Sequence, residues 1–130
     1  MEPDSLADTN IFLEVILRQV RVALCESILR EREKRIAISD FSLHSIGIYL
    51  FRTGRENAFL DFLEDIDGLV TILGLELKDY PKIYANRKRH NLDYDDSYQL
   101  TVAETFGIEL LTLDGDFRGV ESPIKITVLR

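Results

Sequence analysis

Short apolar runs at strand spacing alternate with longer stretches of helical periodicity along this chain. Ser5 to Asp8 reads as a first strand running into Asp8-Thr9-Asn10, three residues suited to opening a helix. Ile11, Phe12, Val15 and Ile16 recur at helical spacing, and Val20, Ala23, Leu24 and Ile28 extend it as a second helix or a bent continuation. Arg35 to Ser39 alternates polar and apolar as a second strand. Ser39-Asp40 then caps a helix from Phe41 to about Arg52, with Leu43, Ile46, Leu50 and Gly47 inward and Thr53-Gly54 as its stop.

Glu56 to Ile66 predicts an amphipathic helix on Phe59, Phe62, Leu63 and Ile66, and Leu69 to Leu73 a third strand. Lys78 to about Arg89 reads as helical, with Pro81 tolerated in the first turn and Tyr80, Ile83 and Tyr84 on its apolar side. Tyr94 to Thr105 follows as a helix ended by Gly107. Ile108 to Leu113 forms a fourth strand, and Ile124 to Val128 an edge strand opened by Pro123. This order predicts one α/β domain over residues 1–130, a three-layer α/β/α sandwich around a mostly parallel five-stranded sheet.

The acids change the picture. Asn91 to Tyr98 places Asp93, Asp95 and Asp96 at the start of a helix, while Asp8 and the pair Asp114 and Asp116 follow strands. In open parallel sheets, ligands gather outside the carboxyl ends of the strands. The three segments are therefore expected to meet at one edge, where crowded carboxylates must protonate or share a cation. An all-oxygen set suits Mg²⁺ or Mn²⁺, and such an ion supports phosphodiester hydrolysis by activating water.

Composition narrows the alternatives. The 130 residues are 45% hydrophobic and 30% charged, as in ordinary globular chains. One cysteine, Cys25, excludes an internal disulfide, and with two separated histidines there is no zinc set. No leader or long apolar run is evident, so the expectation is a cytoplasmic protein without membrane contact. The net charge of −7 argues against broad electrostatic capture of nucleic acid, leaving Arg87, Lys88 and Arg89 as the local basic group for phosphate contact.

Leu6-Ala7-Asp8-Thr9-Asn10-Ile11-Phe12, Asp96-Ser97-Tyr98 with Ala103 and Gly107, and Leu110 through Phe117 together resemble the PIN domain family, within it the VapC-like toxins. The blocks occur in order and span nearly the whole chain. The resemblance implies a Mg²⁺- or Mn²⁺-dependent endoribonuclease acting on RNA, a homodimer, and an antitoxin partner. It assigns Asp8, Asp96 and Asp114 as catalytic metal ligands, Asp116 as a further acid, and Asn10 or Thr9 as the residue orienting Asp8. It also marks a departure. Where the family usually carries a helix glutamate, this chain has Ser45, beside His44; Asp93 or Asp95 would have to substitute.

That departure keeps open a second reading, a PIN-fold module without catalysis that binds RNA or protein. A phosphoacceptor domain is a weaker third. Asn10 stands where the corresponding phosphatases place a second aspartate, and the receiver's paired acids after the first strand are absent.

Overall fold

The computed structural model describes residues 2–130. Its elements run β1 (Ser5–Ala7), α1 (Thr9–Ile16), α2 (Val22–Glu31), β2 (Ile36–Ser39), α3 (Asp40–Arg52), α4 (Glu56–Ile66), β3 (Val70–Leu73), α5 (Pro81–His90), α6 (Tyr94–Phe106), β4 (Glu109–Thr112) and β5 (Ile126–Val128). Single helical turns at Leu77–Asp79 and Gly115–Phe117 complete the chain.

The five strands lie in the order β3-β2-β1-β4-β5, and every pair is parallel. Because successive strand residues face opposite sides, the sheet sorts its own core. Leu6, Ala37 and Leu110 point to the side covered by α5 and α6, where they meet Ile83, Tyr98, Leu100 and Val102. Ala7, Ile36, Ile38 and Leu111 point to the other side, against Ile11, Phe12, Cys25, Ile46, Leu50 and Phe62 of α1 to α4. The Phe12 and Phe62 rings meet edge-on at 5.7 Å there. Such double-sided burial explains why β2 is wholly buried while the edge strand β3 leaves Ile72 exposed.

The chain leaves β1 for one direction of the sheet and returns to β4 on its other side. The reversal of strand order therefore falls between β1 and β4, the strands that precede Asp8 and Asp114.

Two elements differ from the periodicity. The helix expected from Lys78 is split: a single turn ends at Asp79, and α5 begins at Pro81. Proline lacks an amide hydrogen and has a helix-ready φ, so it starts a helix more readily than it sits inside one. Val20, expected on an apolar face, is 99% exposed in the link between α1 and α2, which are two separate helices.

Candidate metal centre

Asp8 sits where β1 hands over to α1. It is the N-cap of α1, its Oδ1 accepting from the Thr9 amide at 2.8 Å. The same oxygen accepts from Gln99 Nε2 at 2.8 Å, and Oδ2 accepts from the Thr112 hydroxyl at 2.8 Å. Three neutral donors on α1, α6 and β4 thus fix one buried carboxylate. Behind it, Gln99 Nε2 also donates to Ser42 Oγ at 2.7 Å, and Ser42 Oγ lies 2.7 Å from Thr9 Oγ1. The Ser39 hydroxyl caps α3 by accepting from the Ser42 amide at 2.9 Å, which sets Ser42 in that network.

The second group of acids is built from α6 and the turn after β4. Asn91 ends α5 in the left-handed conformation, φ 56°, and the Arg87 guanidinium donates to the Leu92 carbonyl at 2.9 Å. This tight reversal starts α6 at Asp93, whose side chain caps it by accepting from the Asp96 amide at 3.0 Å. Asp96 falls on the buried face of the first turn. On the β4 side, the Asp114 amide donates to Thr112 Oγ1 at 3.0 Å, and the Asp116 amide to Asp114 Oδ1 at 2.8 Å. Thr112 therefore ties the Asp8 and Asp114 segments together.

Carboxylate oxygens of Asp96, Asp114 and Asp116 all lie within 4.8 Å of one another. Burial, and then the charges of Asp114, Asp93 and Asp8, push the Asp96 carboxyl up to about 8; when protonated it hydrogen-bonds Asp114. Asp95 is raised as well, by burial and by Asp93 and Asp8. Among the described residues, no lysine or arginine forms an ion pair with Asp8, Asp96, Asp114 or Asp116. The donor set is all oxygen, Asp116 is exposed at its rim, and the Arg118 guanidinium lies by the turn at Gly115 without forming an ion pair to the acids. These features fit a hard divalent cation that retains water or takes phosphate oxygens as further ligands.

The anticipated residues divide accordingly. Asp96, Asp114 and Asp116 form the cluster; Asp8 stands close enough to raise Asp96 but is not one of the three within 4.8 Å. Asp93 also lies outside that trio and serves as the α6 cap. Asn10 is exposed and makes no side-chain hydrogen bond to Asp8, so the residues that orient this acid are Thr9, through its amide, with Gln99 and Thr112. Ser45 is half-buried on α3, one turn beyond Ser42. Lys88 and Arg89 are exposed at the end of α5, whereas Arg87 holds the reversal before the acids.

Gln99, Thr112 and Ser42 were not anticipated. The available signal was Gln99 itself: Asp96 to Ala103 is buried throughout, and an amide in such a helix segment requires partners.

A model of the PIN domain matches residues 6–122. Solved structures with the same fold include a toxin-antitoxin complex from Klebsiella pneumoniae, 21% identical with a TM-score of 0.73, the match covering 94% of this chain and 99% of that one. VapBC2 of Rickettsia felis, bound to a DNA fragment from its promoter, gives 0.76 at 14% identity over 100% of both chains. VapC20 of Mycobacterium tuberculosis, a sarcin-ricin loop cleaving toxin, gives 0.75 at 15% identity over 88% of this chain and 92% of that one. Among curated protein sequences nothing matches. With a family model spanning most of its length and a parallel sheet that gathers aspartates at the strand-order reversal, the chain belongs to the PIN domain family.

Proposed function

We propose that this protein is a Mg²⁺- or Mn²⁺-dependent endoribonuclease of the VapC toxin type. The observation that carries the reading is the trio Asp96, Asp114 and Asp116, whose oxygens lie within 4.8 Å of one another and form no ion pair with a lysine or arginine among the described residues. These three would hold the cation, with Asp8 completing the negative field from a fixed position. When bound, a divalent cation neutralises phosphate charge and lowers the pKa of water. Asp96 must give up its proton for that to happen, since carboxylates ligate such ions in their ionised form. Thr112, Gln99 and the Thr9 amide keep Asp8 from turning away, so the acids are oriented before substrate arrives. Arg87, Lys88 and Arg89 are suited to phosphate contact beside them.

On this reading the protein acts in the cytoplasm as a homodimer held in check by an antitoxin. Among the described residues no helix is long and apolar enough to cross a membrane. A groove of about 680 Å³ between α1, α2 and α4, lined by Phe12, Ile16, Leu29, Phe62 and Ile66, offers apolar surface suited to an antitoxin segment. The known toxin-antitoxin complexes of the same fold support such a partner.

Ser45 favours the second reading, a module that binds without cleaving, because it supplies no carboxylate from α3. Incubating RNA with purified protein separates the two. Cleavage that requires Mn²⁺, stops with a chelator and disappears in Asp8→Asn is expected; intact RNA with the native protein would establish the non-catalytic module.

A further inference from the structure

Four of the five tyrosines, Tyr80, Tyr84, Tyr94 and Tyr98, gather where α5 meets the start of α6, the helix that carries Asp96, in a chain that has no tryptophan. Tyr98 is the buried centre. Its hydroxyl donates to Asp40 at 2.6 Å, and the rings of Phe41, Tyr80 and Tyr94 stand around it at 5.5, 6.2 and 6.2 Å. Outside it opens a cleft of about 360 Å³ lined by Tyr80, Ile83, Tyr84, Arg87, Tyr94 and Ser97. The periodicity placed Tyr80 and Tyr84 on an apolar side, but they are 40% and 69% exposed, and Tyr94 is 54% exposed. Tyr84 and Tyr94 make no side-chain hydrogen bond among the described residues.

We propose that this cleft is a stacking platform for an unpaired RNA base, seating the strand so that a neighbouring phosphate meets the acid cluster. The proposal rests on the ribonuclease reading above and names how that substrate is held.

Continuity is the first support. Tyr94 opens α6 between the Asp93 cap and Asp95-Asp96, and Ser97, which lines the cleft, directly follows Asp96. Charge is the second. A protein of net charge −7 cannot hold RNA by broad phosphate contact; the basic side chains are local, Arg87 to Arg89 in the last turn of α5 and Arg118 by the turn at Gly115. Stacking on an aromatic face needs no net positive charge and tolerates any base. Rigidity is the third. The Arg87 bond to the Leu92 carbonyl holds one lining residue, and the Tyr98 bond to Asp40 holds the ring against which Tyr80 and Tyr94 pack.

The test is binding of a fluorescein-labelled single-stranded oligoribonucleotide, followed by anisotropy in Ca²⁺, which neutralises the acids; a gel at the end confirms the strand is intact. Tyr94→Leu and Tyr84→Leu are expected to weaken binding roughly tenfold each, by loss of one stacking face. Tyr94→Phe should keep the wild-type affinity, and so should Tyr49→Leu, on α3. With Mn²⁺ as cofactor, the leucine variants should raise KM by a similar factor and hold kcat. Leucine variants that bind and cleave as the wild type does overturn the platform while leaving the nuclease reading intact. Unchanged RNA binding with an altered mass in solution overturns it in favour of a protein contact. Failure of the native protein to cleave RNA counts against the nuclease reading alone, since anisotropy still decides the platform.

Discussion

Asp8 and Asp96 are buried alike, at 8% and 7% exposed, yet their carboxylates are treated in opposite ways. Asp8 accepts hydrogen bonds from Thr9, Gln99 and Thr112. Asp96 receives no donor to its side chain among the described residues, faces Asp114 and Asp116, and is pushed up to about 8. Neutral dipoles suffice to hold one buried charge in place. They do not suffice for three carboxylates in contact, whose repulsion calls for positive charge. The protein has thus fixed one acid by itself and left the other three dependent on a cation or a proton.

The largest consequence concerns Asp96. Asp96→Asn should reduce Mn²⁺-dependent cleavage by about 100-fold or more, because the cation loses a ligand and even losses in the shell behind the ligands cost about 10–100-fold. The same variant should melt at a higher temperature than the native protein in chelator, because it removes a repelled buried acid. A variant both inactive and less stable would mean that Asp96 is structurally satisfied in a way the contrast with Asp8 does not allow.

Next in size is the pH dependence of the metal-free protein. The Asp96 carboxyl titrates near 8 in the folded chain and near 3.9, the ordinary value, when unfolded. Between those values the folded state holds a proton the unfolded state has lost, so stability falls as pH rises through the window and levels off above it. Urea midpoints in chelator should therefore drop from about pH 5 to about pH 8. A midpoint that rises across that range contradicts the raised carboxyl.

Smaller effects belong to the Asp8 side. Gln99→Leu and Thr112→Val each leave a buried oxygen short of a donor, at about 1–3 kcal/mol. Thr112→Val should be the worse, since the Asp114 amide loses its acceptor too, whereas Ser42 keeps Thr9 and Ser39 when Gln99 is removed. Denaturant titration of the two variants checks both the size and the order. The smallest effect is Ser45→Glu, which adds an acid on the α3 face shared with Ser42 and should tighten Mn²⁺ binding a few-fold by calorimetry. An unaltered affinity would mean that this position does not face the ion.

The same contrast marks what could be read from the amino-acid order. Short strands followed by acids announced the parallel sheet and the approach of Asp114 to Asp96; Asp8 stands near enough to act on Asp96 but outside the trio they form with Asp116. The supports of Asp8 were hidden, since Ser42 and Gln99 are neutral and lie 57 residues apart. Only the fold brings the first turn of α3 within reach of α6 side chains. Tyr84 misled for a different reason: periodicity counts a phenol as apolar, while its hydroxyl lets the ring stand in water. Pro81 lay in plain view, but whether it begins a helix or sits in its first turn depends on the packing of the turn before it.

One calorimetric titration reaches the central claim most directly: Mn²⁺ added to the native protein and to Asp96→Asn near neutral pH, in two buffers of different ionisation enthalpy. Saturable binding to the native protein with proton release to the buffer, and none to the variant, is the predicted result. Equal binding to both proteins, or binding without proton release, would contradict a cation site built on Asp96, Asp114 and Asp116.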